Sequence, residues 1–142
     1  MKKIMYLLFM SVVFLIGSVG ISGSASATST STSIKMNGNF AYGGTAYLTT
    51  SEDHLNVYAT YKPAPSSYVY VKLTLQRNNN GTWTNIDTKT GTVSADTGKS
   101  LNVSFANISN VLNKSHRIKV DIYDGYSSTI LMQTAYSKTW TR

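Results

Sequence analysis

From Tyr68 to Gln76 apolar and polar side chains alternate without a break: Val69, Val71, Leu73 and Leu75 against Tyr68, Tyr70, Lys72, Thr74 and Gln76. A period of two is that of a β-strand with one face buried and the other wet; a helix would scatter the same residues around its axis. Three further stretches repeat the pattern: Leu55, Val57, Ala59 and Tyr61; Leu101, Val103 and Phe105; Ile118, Val120 and Ile122. Phe40 to Leu48 and Ile130 to Trp140 read as less regular strands at either end. Turn chemistry separates the runs. Pro63-Ala64-Pro65-Ser66-Ser67 parts the second strand from the third, because proline cannot donate to a central ladder. Asn78-Asn79-Asn80-Gly81 marks a hairpin, since Asn-Gly supplies the positive φ that primed turns need. Asp96-Thr97-Gly98 and Asp124-Gly125 are further turns. Ile108 to Leu112 is the one stretch that reads as helical, and only as a short turn. About seven strands at this spacing predict an all-β fold, a single antiparallel β-sandwich.

The start of the chain has a different character. Lys2 and Lys3 precede an apolar run from Ile4 to Ile16, and small residues then lead to Ala25-Ser26-Ala27. That is the three-part form of an export signal with a small-x-small cleavage site. Residues 1–27 are expected to be removed, leaving a secreted, extracellular domain without a stable membrane anchor. The competing reading is an uncleaved anchor, since Ile4 to Ile21 approaches membrane-spanning length. Gly17, Ser18, Gly20, Ser22 and Gly23 dilute its end and favour cleavage. Residues 28–33 (TSTSTS) read as a disordered Ser/Thr tether, and residues 34–142 as the sandwich. There is no cysteine, so no disulfide and no lipidated thiol; packing and backbone pairing hold the domain.

Beyond the signal, eleven lysine or arginine residues stand against six aspartate or glutamate residues. The cations are scattered, so they build no nucleic-acid stripe, and export argues against that partner. A diffuse positive field suits anionic envelopes such as acidic wall polymers or membrane surfaces. The same charge also serves solubility alone. Catalytic groups are few, with two histidines and no thiol nucleophile. Glu52-Asp53-His54 gathers three titratable groups, but neighbouring strand residues point to opposite faces, and a base and its orienting partner must converge. The tripeptide reads better as a polar turn before Leu55. His116, at a strand start, reads as a surface residue. Two histidines far apart do not suggest a zinc site, and Asp121 and Asp124 lack a dense oxygen-ligand loop for calcium. The chain is read as a non-enzyme without cofactor or metal.

The stretch Val71-Lys72-Leu73-Thr74-Leu75-Gln76-Arg77, its turn, and Gly81-Thr82-Trp83-Thr84-Asn85-Ile86 resemble the central hairpin of bacterial immunoglobulin-like (fibronectin-like) β-sandwich domains. His116-Arg117-Ile118-Lys119-Val120 is similar to their penultimate strand, and Ala135-Tyr136-Ser137-Lys138-Thr139 to their last. The resemblance spans about Phe40 to Trp140 and implies a role as an adhesion or spacer module. It also implies that the Ile118 strand lies beside the Val69 strand in one sheet.

On that arrangement a candidate surface emerges. With Val69 to Leu75 inward, Tyr68, Tyr70 and Lys72 face out. A two-residue hairpin loop pairs Asn78 with Trp83 and Leu75 with Ile86; a four-residue loop pairs Gln76 with Trp83 and Leu73 with Ile86. Both put Trp83 on the outer face and Ile86 in the core, and an odd loop or a bulge reverses this. Lys119, Asp121 and Tyr123 alternate outward from the Ile118 strand. One face then collects Tyr68, Tyr70, Lys72, Trp83, Lys119 and Tyr123. Rings mixed with cations suit a sugar or protein partner, such as an envelope polysaccharide or an extracellular protein. Tyrosine and tryptophan are also simply good strand residues. The leading expectation is a small secreted, non-catalytic binding protein. The alternatives are a secreted bacteriocin-like toxin, or an inhibitor of an extracellular enzyme presenting Lys62 to Ser67. N-terminal sequencing of the exported protein should read from Thr28; finding it only in membranes with Met1 intact overturns the cleavage.

Overall fold

A computed structural model of the chain describes residues 28–38, 43–109 and 113–142. The expected export signal, Phe40 and residues 110–112 lie outside the described residues. Among the described residues nine strands form: β1 (Thr30–Lys35), β2 (Thr45–Glu52), β3 (Val57–Lys62), β4 (Tyr68–Asn79), β5 (Thr82–Ser94), β6 (Leu101–Phe105), β7 (Ser115–Asp124), β8 (Leu131–Tyr136) and β9 (Trp140–Thr141). They make two antiparallel sheets, a four-stranded one ordered β1-β2-β3-β6 and a five-stranded one ordered β5-β4-β7-β8, with β9 beside β7. The fold is all-β, as the alternation requires.

β4 is the spine of the larger sheet. It pairs with β5 on one side and with β7 on the other, so Val71 lies between Gly91 and Ile122, and Leu73 between Lys89 and Val120. Cross-strand partners share a face. Val69, Val71, Leu73 and Leu75 therefore point inward with Ile118, Val120 and Ile122, and all seven are fully buried. Opposite them, Ala46, Leu48, Val57, Ala59, Tyr61 and Phe105 come from the smaller sheet, and the two sets form one continuous core. The β4–β5 turn is Asn80-Gly81, with φ of 54° and 93°, the two positive values of a primed hairpin. Asn78 pairs with Trp83, as a two-residue loop demands. A bulge follows between Leu75 and Gln76, which makes Asp87 rather than Ile86 the partner of Leu75. Ile86 is the residue left over, half-buried against the core.

Several expectations are corrected. Thr30 to Ser33, read as disordered tether, belong to β1, which pairs with β2 along its whole length, from Thr30 opposite Thr50 to Lys35 opposite Thr45. Low complexity misled here, because threonine and serine fit a half-wet edge strand as readily as a coil. Leu55, placed inward by parity, is exposed. Asp53 Oδ1 accepts the backbone N–H groups of Leu55 and Asn56 at 2.9 and 2.7 Å, which folds the chain into a turn and starts β3 at Val57. The Tyr58 hydroxyl (2.6 Å) and the Asn56 side-chain amide (3.0 Å) complete this cradle, and their hydrogen bonds hold the Asp53 carboxyl well below the usual carboxylate range. Among the described residues one 3-10 turn forms, at Ala95–Thr97, closed by Gly98 at φ 64°; of the expected turn at Ile108 to Leu112, Ile108 and Ser109 are non-helical and residues 110–112 lie outside the described residues.

His116 is not at the surface; it is fully buried. It shares parity with Ile118, so β7 turns it inward. Its ring stacks on Trp140 with centroids 6.2 Å apart, and Nδ1 donates to the Lys114 carbonyl at 2.8 Å. This end of the sandwich is closed by Arg142, whose guanidinium is wholly buried. Its Nη1 donates to Glu52 Oε2 at 2.7 Å, its Nη2 to the Ile108 carbonyl at 2.6 Å, and Trp140 Nε1 donates to the same Glu52 oxygen at 3.0 Å. Glu52 thus ties β2 to β9 across the two sheets.

Burial pushes the His116 pKa down; repulsion from Arg77 and Arg142 adds to this, while the Lys114 carbonyl and Glu52 oppose it. The unfolded chain takes up this proton near the ordinary histidine value of about 6.5, the folded chain only at lower pH. Stability from this group is complete above that value and falls as pH drops below it. Thermal unfolding should show wild type losing Tm between pH 7.5 and pH 5 and His116→Gln losing less; parallel profiles would exclude His116 as the cause. Leu73→Ala should cost about 2–5 kcal/mol, because it leaves a cavity between the sheets. An unmoved denaturation midpoint would contradict the face assignment.

Candidate binding face on the five-stranded sheet

The alternation that fills the core leaves β4, β5, β7 and β8 a complementary outer set. Tyr70 stands beside Thr92 and Tyr123, Lys72 beside Thr90 and Asp121, Thr74 beside Thr88 and Lys119, and Gln76 beside Asn85 and Arg117. All six residues singled out from the sequence, Tyr68, Tyr70, Lys72, Trp83, Lys119 and Tyr123, lie on this one face and are half-buried. They do not form one cluster. They occupy a stripe that runs along β4 for about 30 Å, at roughly 3.3 Å per residue.

At one end Tyr68 meets Tyr126 edge to face, with centroids 4.8 Å apart, and Tyr70 lies 5.9 Å from Tyr123 at a tilt of 59°. The middle of the stripe is ionic. Lys119 Nζ sits 3.0 Å from Asp121 Oδ2, and Thr134 Oγ1 donates to Asp121 Oδ1 at 2.6 Å. Asp121 is almost wholly covered. Beside it Thr74 and Thr88 share a hydroxyl hydrogen bond of 3.2 Å.

The other end is built around Arg117. Its guanidinium carbon lies 4.0 Å from the centre of the Trp83 ring and 4.0 Å from that of Tyr136. The two rings come from β5 and β8, on opposite sides of β7 in the sheet order, and so flank the cation. Arg117 Nε donates to Gln76 Oε1 at 2.9 Å, and Gln76 Nε2 donates in turn to Asn85 Oδ1 at 2.9 Å. A flat cation between two ring faces is a favourable electrostatic arrangement, and the hydrogen-bonded amides fix its rotation.

Arg117, Tyr136, Gln76, Thr134 and Tyr126 were missing from the sequence-derived set. Arg117 shares parity with Lys119, and one more step along β7 would have included it. Strand parity alone does not place Tyr136, because a register shift in β8 separates the partners of Ile122 and Tyr123. Its place beside Lys119 follows only from the observed pairing.

Two other candidate regions have structural duties. Glu52 is engaged by Arg142 and Trp140, and Asp53 by its own turn. In the Lys62 to Ser67 loop, Pro63, Ala64 and Ser67 are buried, and Ser67 Oγ donates to the Ala64 carbonyl at 2.6 Å. Lys62 and Pro65 border a shallow cavity of about 250 Å³ with Tyr47 and Lys99. Set against known proteins, no family, curated protein or solved structure matches the chain.

Proposed function

We propose that this chain is a small exported, non-catalytic binding protein that recognises a cell-envelope or extracellular ligand through the outer face of its five-stranded sheet. The observation that carries this reading is the convergence of half-buried rings and cations on that face, with Arg117 held between Trp83 and Tyr136. Side chains locked by their neighbours lose little entropy when a ligand docks, which is the general advantage of a preorganised surface. Aromatic residues and arginine are also the types that most often dominate binding energy.

We further propose that the sandwich is immunoglobulin-like, of the fibronectin-like kind. In its favour, β2-β3-β6 stand in one sheet and β5-β4-β7-β8 in the other. That order corresponds to an immunoglobulin-like sandwich with one extra hairpin partner beside its third strand, and β1 is then an added edge. Such a scaffold presents one sheet face and two loop ends, and the stripe lies on the face. A bacteriocin-like role would require killing of neighbouring cells by the purified protein, and inhibition would require an enzyme partner; neither has a structural feature here as specific as the stripe.

The test is binding of the purified domain to fractionated envelope polysaccharides and extracellular proteins. Trp83→Ala and Tyr70→Ala should each weaken binding by about 1 kcal/mol or more while changing stability less than Leu73→Ala does. Loss of folding in step with loss of binding would show that these rings serve the core, and would overturn the reading.

A further inference from the structure

Arg117 is the most constrained cation on the face, and its hydrogen bonding is incomplete. Nε is used by Gln76 at 2.9 Å, and the Trp83 and Tyr136 ring centres each lie 4.0 Å from the guanidinium carbon. Among the described residues no acceptor is engaged by Nη1 or Nη2, although Arg117 is only half-buried. The nearest acid on the same strand, Asp121, is occupied by Lys119 and Thr134. What remains is a rigid pair of N–H donors at the mouth of an aromatic slot, with Lys119 two residues along β7 and Lys72 further along the stripe.

We propose, resting on the reading of this face as a binding surface, that Arg117 is its anion-recognising residue and that the ligand is a carboxylate-bearing polysaccharide. A guanidinium fork matches the two oxygens of a carboxylate in a single plane. The slot between the Trp83 and Tyr136 rings holds a flat group, so a planar carboxylate extends it better than a tetrahedral phosphate. The rest of the stripe fits a chain of sugars. Its members are tyrosines, threonines and amides, Tyr136 is well exposed, and among the described residues the exposed aliphatic side chains near it are Ile130 and Leu131 at the rim. A protein interface concentrates apolar side chains at its centre, and this face has there an ion pair whose acid is covered and whose lysine is partly exposed. Rings stack on the apolar sides of sugars while hydroxyls and amides meet their edges. Lys72, Arg117 and Lys119 outnumber Asp121, so the stripe favours a polyanion along its length.

The experiment uses calorimetry and affinity electrophoresis with a polyuronate, its carboxyl-reduced neutral derivative and a glycerol-phosphate polymer. Wild type should bind the polyuronate at least tenfold more tightly than the reduced polymer and more tightly than the phosphate polymer. Arg117→Lys keeps the charge but removes the fork; it should lose about tenfold on the polyuronate and clearly less on the reduced form, with Tm recorded for each variant. Gln76→Leu frees the guanidinium to rotate and should weaken polyuronate binding while leaving the cation in place. Equal binding of polyuronate and reduced polymer, or an unaffected Arg117→Lys, overturns the carboxylate assignment. If Trp83→Ala still abolishes binding of the reduced polymer, the face itself remains a binding surface. Tighter binding of the phosphate polymer through Arg117 would reassign the ligand, and absence of binding to all three overturns the proposal.

Discussion

The pairing of β4 with both β5 and β7 is the constraint on which the rest of this structure depends. Each residue of β4 from Val69 to Gln76 has a partner on both sides, so its facing decides the facing of both neighbours. Were β7 to slip by one residue against β4, Ile118, Val120 and Ile122 would move into water and Arg117, Lys119 and Asp121 into the core. Burial of seven aliphatic side chains therefore fixes the outer face as firmly as the inner one. The stripe of rings and cations is the reverse side of a hydrophobic decision.

Without a disulfide, the ends of the sandwich need other ties. One end is held by a polar knot in which Glu52 accepts from both Arg142 and Trp140, while Arg142 also serves the Ile108 carbonyl. The Arg142–Glu52 pair adds less to stability than its short distance suggests, because Arg142 loses its hydration while Glu52 stays partly exposed. Its effect here is directional. Arg142 has its partners only when β9 lies against β7 and β2 turns at Asp53, so the knot selects one closure of the sheets. His116 sits beside this knot with a buried Nε2 that has no partner among the described residues, which makes it sensitive to acid.

The outer face combines two kinds of order. Tyr68, Tyr70, Tyr123 and Tyr126 pair with one another, as aromatic neighbours in a sheet commonly do. Arg117 is different in kind, because three neighbours from three strands hold it and its outermost donors have no partner among the described residues. A cation stacked on rings keeps its in-plane hydrogen-bonding edge, so stabilising it and leaving it ready to bind are compatible.

The sequence alone determined what depends on parity and turn chemistry: the β class, the inward sets of β4 and β7, the Asn-Gly hairpin, and the outward position of Trp83 and the tyrosines. These are consequences of a two-residue period together with the hairpin turn, which sets Trp83 opposite Asn78. Only the tertiary structure decided what depends on neighbours. Thr30 to Ser33 became a strand because β2 offered an edge, and Leu55 left the ladder because Asp53 captured its N–H group. Parity with Ile118 turns His116 inward, but only β9 brings Trp140 over its ring. Arg117 gained its role because a bulge in β5 and a register shift in β8 still left Trp83 and Tyr136 on either side of it. Alternation assigns each side chain a face, but pairing between distant segments assigns its company, and no local pattern encodes that.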